Sequence, residues 1–179
     1  MPDIDDFASR LLEESKRFLE KAKETQNTDA ASANRHAALM LGFCALEAHV
    51  KPVADDFENR KDIDLQDRAI MREAEVKFDK GRFTLGNFKM YRLEDRIEFL
   101  CRRFGGKPID KNVEWWSGLA TATKLRNRLT HPKTVPDVSE IAVSAALNSI
   151  VLTIDALYRN VYGKPFPAAS RALQSRLSF

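Results

Sequence analysis

Residues 37–50 read AALMLGFCALEAHV. Glu47 and His49 are the only strongly polar side chains in this run. It is too long for a buried strand and shows no alternation of polar and apolar residues. A stretch that is apolar on most of its sides reads as a helix surrounded by other helices. The sequence therefore predicts an all-α fold, a bundle of four to six main helices around this one. The central helix is expected from about Ala30 to Phe57, with Asn27-Thr28-Asp29 capping its start and Pro52 kinking or shortening it.

Five further helices follow from periodicity and from helix breakers. The first covers about Asp5 to Thr25, with Ile4, Phe7, Leu11, Phe18 and Ala22 on one stripe. The third runs from about Leu65 to Asp79, before Gly81. The fourth runs from about Arg92 to Phe104 and stops at Gly105-Gly106. The fifth begins near Asp110 or Asn112 and ends at His131, because Pro132 prevents continuation. Trp115, Leu119 (or Gly118), Ala122, Leu125 and Leu129 form its core-facing stripe. The sixth runs from about Asp137 to Tyr162, with Leu147, Ile150, Val151, Ile154, Leu157, Tyr158 and Val161 on its apolar face. Between the third and fourth lies RFTLGNFKMY, residues 82–91. Its alternation around Gly86-Asn87 reads as a small hairpin or an ordered loop. The tail, residues 163–179, is either a short helix or frayed.

The 179 residues suit one domain with its own core. Seven Gly and seven Pro are too few for fibrous or low-complexity material. The longest uncharged run, Ile141 to Ile154, falls short of the ~20 residues of a bilayer span. The opening MPDIDDFASR lacks the apolar core of a secretory signal. The expectation is a cytoplasmic chain with no membrane partner. Cys44 and Cys101 form no CxxC pair, and His36, His49 and His131 are not spaced as ligands beside them. Neither a metal site nor a cofactor is expected, and both thiols read as buried and inert.

Charge is unevenly spread. Residues 1–75 carry 17 acidic and 11 basic side chains, whereas residues 76–179 carry 9 acidic and 18 basic. Such a bias suits either a polyanion-facing surface or internal neutralisation within the fold or a dimer. The stretch KLRNRLTHPK, residues 124–133, concentrates the chemistry. Asn127 and His131 stand four apart and share a helix face, and Arg126 lies about 100° around the axis. An imidazole moves protons near neutral pH. A guanidinium binds a phosphate bidentately and stabilises charge growing on it. An amide orients the group. These suit phosphodiester cleavage without a metal, although an Arg and a His at a helix end also simply cap carbonyls.

The segment Arg126-Asn127-Arg128-Leu129-Thr130-His131 resembles the R-x-x-x-x-H signature of the HEPN superfamily, whose first variable position is often a polar residue such as Asn. The motif ends a late helix that opens with Trp115 and Trp116, a long apolar helix follows, and residues 37–50 resemble the early family helix with its lone acid. The resemblance covers about residues 30–162. It implies a helical bundle that dimerises, bringing two motifs together in one composite site. Many members are metal-independent endoribonucleases of toxin–antitoxin, abortive-infection and other defence systems. Arg126, His131 and Asn127 take the family's site positions. Cleavage would use the ribose 2′-hydroxyl, leave a 2′,3′-cyclic phosphate and spare DNA. An antitoxin or inhibitor protein is the implied further partner. Members paired with a nucleotidyltransferase often carry Tyr two residues after the His; Lys133 stands there instead, against that form of regulation. Other members keep the helices and only bind RNA, nucleotide or protein, and a purely structural helical protein is a third reading.

Glu47, alone in its apolar helix, either reaches the motif helix and orients Arg126 or pairs with Lys51 one turn on. Lys124, Arg128, Lys133, Arg82, Lys89 and Arg92 are the expected RNA-binding cations. Around them Phe78, Phe83, Phe88 and Tyr91 interleave with Lys80, Arg82, Lys89 and Arg92. These rings either stack on single-stranded bases or, the preferred reading, anchor a loop in the core. Trp115 and Trp116 read as core or dimer anchors. The first helix packs on the bundle, swaps in a dimer, or docks an antitoxin; the sequence does not choose.

Overall fold

The structure, a computed structural model, describes residues 4–136 and 138–179. Two long helices, α1 (Ile4–Glu24) and α2 (Thr28–Glu58), are joined by three residues and pack along one another. Asn27 starts α2 by accepting the Ala30 N–H at 2.9 Å on its side-chain oxygen. Pro52 lies inside α2 without ending it. Helices α4 (Leu93–Gly105) and α5 (Glu114–Thr130) pack with α2 around α6 (Glu140–Tyr162). Ser139 caps α6, and the expected start at Asp137 lies outside the described residues. The fold is thus mostly helical, with six α-helices and one two-stranded sheet among the described residues.

The core follows the expected apolar middle of α2 and the expected stripes of α5 and α6. Leu39, Phe43, Leu46 and Val50 of α2 meet Leu147, Ile150 and Ile154 of α6, with Leu119 and Leu125 of α5 on one side. Gly42 permits a close approach. A Cβ there would collide with Leu147 Cδ2 and stand 3.2 Å from Ser15 Oγ, so α1, α2 and α6 converge where α2 has no side chain. Both α2 and α6 are long and apolar enough to cross a bilayer by length and composition. Here about half of each apolar stretch is buried against other helices.

Four expectations are corrected. The third helix, α3 (Leu65–Arg72), stops at Glu73, which adopts φ 53°, and the chain continues as strand β1 (Ala74–Asp79). β1 pairs antiparallel with β2 (Arg82–Phe88). The turn is Lys80-Gly81, both at positive φ, and not Gly86-Asn87. A two-residue loop between right-twisted strands requires such backbone angles, and Gly81 adopts them without strain. The buried face of α1 is rotated from the expected one: Ala8, Leu12, Ser15, Lys16, Leu19 and Ala22 are buried, while Ile4 and Phe7 are exposed. Small residues let α1 approach α2 closely, and Ser15 donates to the Ala38 carbonyl at 2.8 Å. Cys44 is exposed; only Cys101 is buried, and burial pushes its thiol up to about 12.

The tail is ordered against α1. Glu13 pairs with Arg171 and accepts the Arg176 N–H, and Ser175 donates to the Glu13 carbonyl at 2.8 Å. Phe179 packs edge-on against Phe18. Within the chain, the first helix packs on α2 and α6 of the bundle.

Candidate functional site

Helix α5 ends where its sequence says it must. Pro132 cannot continue a helix, and His131 closes the last turn by donating its backbone N–H to the Asn127 carbonyl at 2.9 Å. Leu125 is buried and Leu129 packs partly on the core. These two leucines fix the rotation of α5 and turn Arg126, Asn127 and His131 the other way.

Arg126 is half-buried, its guanidinium carbon 5.0 Å from the centre of the Phe43 ring. A cation over a ring face is held by the ring quadrupole, more strongly when water is partly excluded. Phe43 is a core residue of α2, so this contact ties the motif helix to the central helix. Glu47 stands one turn beyond Phe43 on the same face of α2 and is itself exposed. Arg126, Asn127, His131, Thr123 and Glu47 line one cavity of about 620 Å³. Among the described residues Glu47 forms no ion pair with a motif side chain, and Lys51 pairs with Asp55 instead. The Cys44 thiol, three residues before Glu47, is pushed up by partial burial and then by the Glu47 charge. His36 is half-buried and lies outside the cavity wall.

The rest of the lining comes from the hairpin exit and α4, including Phe88, Met90, Tyr91, Arg92 and Arg96. Sequence reasoning does not pick out Arg96. It is 6% exposed, and one terminal nitrogen meets Glu73 Oε2 at 2.9 Å. Its other terminal nitrogen, Nη2, and Arg126 Nε are buried without a hydrogen-bond partner among the described residues. Buried donors are normally paired, so two unpaired guanidinium nitrogens on one cavity stand out. The signal available in the sequence is position: Arg96 falls on the stripe of Leu93, Ile97 and Leu100, where an apolar residue belongs. The wall is not uniformly positive, because Glu47, Glu73 and Glu94 share it with Lys51, Arg92, Arg96 and Arg126.

A second cavity, also about 620 Å³, borders Asn127, Arg128, His131 and Lys133. Asn127 and His131 thus stand between two hollows. Lys124 lines neither; with Arg128 it borders a third depression on the outer face of α5. Arg82 and Lys89 are exposed on the hairpin and line none of these. Trp115 and Trp116 are half-buried and edge-to-face at 5.6 Å. Among the described residues, no group of three or more His, Cys, Asp and Glu is placed to hold a metal ion.

Comparison with protein-family models, with curated proteins and with solved structures returns no match for this chain.

Proposed function

We propose that this chain is a metal-independent endoribonuclease of the HEPN type, acting as a homodimer in a toxin–antitoxin or other defence setting. The observation that carries the reading is that Arg126, Asn127 and His131 line one cavity, with Arg126 held over Phe43 and Arg96 in the same lining. In the proposed reaction a ribose 2′-oxygen attacks the adjacent phosphorus. The O2′–P bond forms as the P–O5′ bond breaks, the 2′-hydroxyl loses its proton and the leaving 5′-oxygen gains one. His131 performs one of these transfers, and His131 of a second copy performs the other. Arg126 donates to the non-bridging oxygens as charge builds on them, and Asn127 orients the phosphate. Glu47 faces this machinery as a positioning carboxylate. Lys124, Arg128, Lys133, Arg82, Lys89 and Arg92 hold the RNA backbone, so affinity falls with added salt.

The test is RNA cleavage in excess EDTA by wild type, His131→Ala and Arg126→Ala, with analysis of the new ends. Cleavage that survives chelation, leaves 2′,3′-cyclic phosphate and 5′-hydroxyl, spares DNA and disappears in both variants supports the proposal. Failure of the folded protein to cut diverse RNAs overturns it in favour of a binding module.

A further inference from the structure

We propose that the exposed apolar face of the β1–β2 hairpin is a base-stacking platform for single-stranded RNA. This rests on the RNA-binding part of the preceding reading, not on catalysis. The register pairs Phe78 with Phe83 and Val76 with Leu85. Side chains directly opposite in an antiparallel pair share a face, and the strand period of two puts both pairs on the same one. The other face carries Lys77 opposite Thr84 and Asp79 opposite Arg82. The expectation that these aromatics anchor a loop in the core is therefore corrected. Phe78 and Phe83 are each 66% exposed, with centroids 5.2 Å apart, and Phe88 is 75% exposed. The hairpin packs chiefly on α3, which leaves these rings uncovered.

Charge selects the occupant. The hairpin and its exit, residues 74–92, carry five basic side chains, Lys77, Lys80, Arg82, Lys89 and Arg92, against Glu75 and Asp79, with Lys77 and Arg82 on the face opposite the rings. A second copy of this chain would bring like charges together on approach. A single-stranded nucleic acid offers a flat apolar face for the rings and phosphates for the surrounding cations. A duplex keeps its bases stacked and gives the rings nothing to cover. The path continues to the candidate site. Phe83 and Phe88 lie about 17 Å apart along β2 at strand rise, and Phe88, Tyr91 and Arg92 line the cavity of Arg126 and His131.

The test is fluorescence anisotropy of labelled oligo(dT) with the full chain. This probe stacks as RNA does but lacks the 2′-hydroxyl, so binding is read whether or not the chain cleaves RNA. Wild type should bind it more tightly than a duplex. The Phe78→Ala/Phe83→Ala double variant should bind at least about tenfold more weakly, with duplex binding unchanged. Phe78→Tyr/Phe83→Tyr, which keeps both rings, should stay within about twofold of wild type. Circular dichroism and thermal melting establish that each variant is folded. The proposal is overturned if wild type does not bind oligo(dT), if the alanine variant binds it as wild type does, or if that variant changes only self-association by sedimentation. Absence of RNA cleavage with oligo(dT) binding intact would count against the nuclease alone.

Discussion

His49 gives the chain an acid-sensitive point that can be measured apart from any activity. It lies in α2, 1% exposed, with neither ring nitrogen hydrogen-bonded among the described residues. Its neighbours are the rings of Phe166 at 4.9 Å and Tyr158 at 6.2 Å, both edge-on. Burial without a polar partner disfavours the imidazolium and lowers its pKa from 6.5 to about 4. The unfolded chain therefore binds more protons than the folded one between these values. Stability is whole above about pH 7 and falls as pH drops through 6.5 toward 4. The limit of the loss is about 3 kcal/mol, and about 2 kcal/mol is already gone at about pH 5. Carboxylates titrate nearby in pH, so the assay is a difference: urea unfolding of wild type and His49→Leu from about pH 8 to about pH 5. The leucine variant should gain about 2 kcal/mol relative to wild type across that interval. A difference that stays flat would refute the reasoning, because it would mean that the folded protein holds the protonated ring as readily as the unfolded chain does.

Gly42→Ala adds a methyl that collides with buried Leu147 Cδ2. Its helix-propensity gain of up to ~1 kcal/mol is outweighed by overpacking of about 1–3 kcal/mol, so the melting temperature should fall; a rise would show that the three helices separate freely. Lys16 is fully buried; among the described residues its Nζ has no partner but Glu13 at 4.0 Å, and burial lowers its pKa. Glu13 keeps Arg171 and the Arg176 N–H, so Lys16→Met should leave stability unchanged or raise it, and a clear loss in urea unfolding would refute that. In thiol labelling, the folded chain should take one equivalent, at Cys44, and the second only on unfolding, since Cys101 is buried and its thiol is held near 12. Two equivalents on the folded chain would contradict the burial of Cys101.

Much of the architecture is local and therefore written in the chain. The apolar run at 37–50 determines a largely buried helix because it is apolar on most of its sides and longer than a buried strand. Pro132 and Gly163 stop α5 and α6 by backbone chemistry, and the stripe of Leu119, Ala122 and Leu125 sets which way the motif faces. The spacing of Arg126, Asn127 and His131 on one helix end needs nothing beyond helical geometry. What depends on packing between distant segments was decided only in three dimensions. That Glu47 and Arg96 border the motif's cavity follows from how α2, α4 and α5 meet. That Lys16 is buried, that the tail lies on α1, and that Phe78 and Phe83 face outward follow from which surfaces find partners. Periodicity states that a face is apolar; only the assembled fold states whether anything covers it.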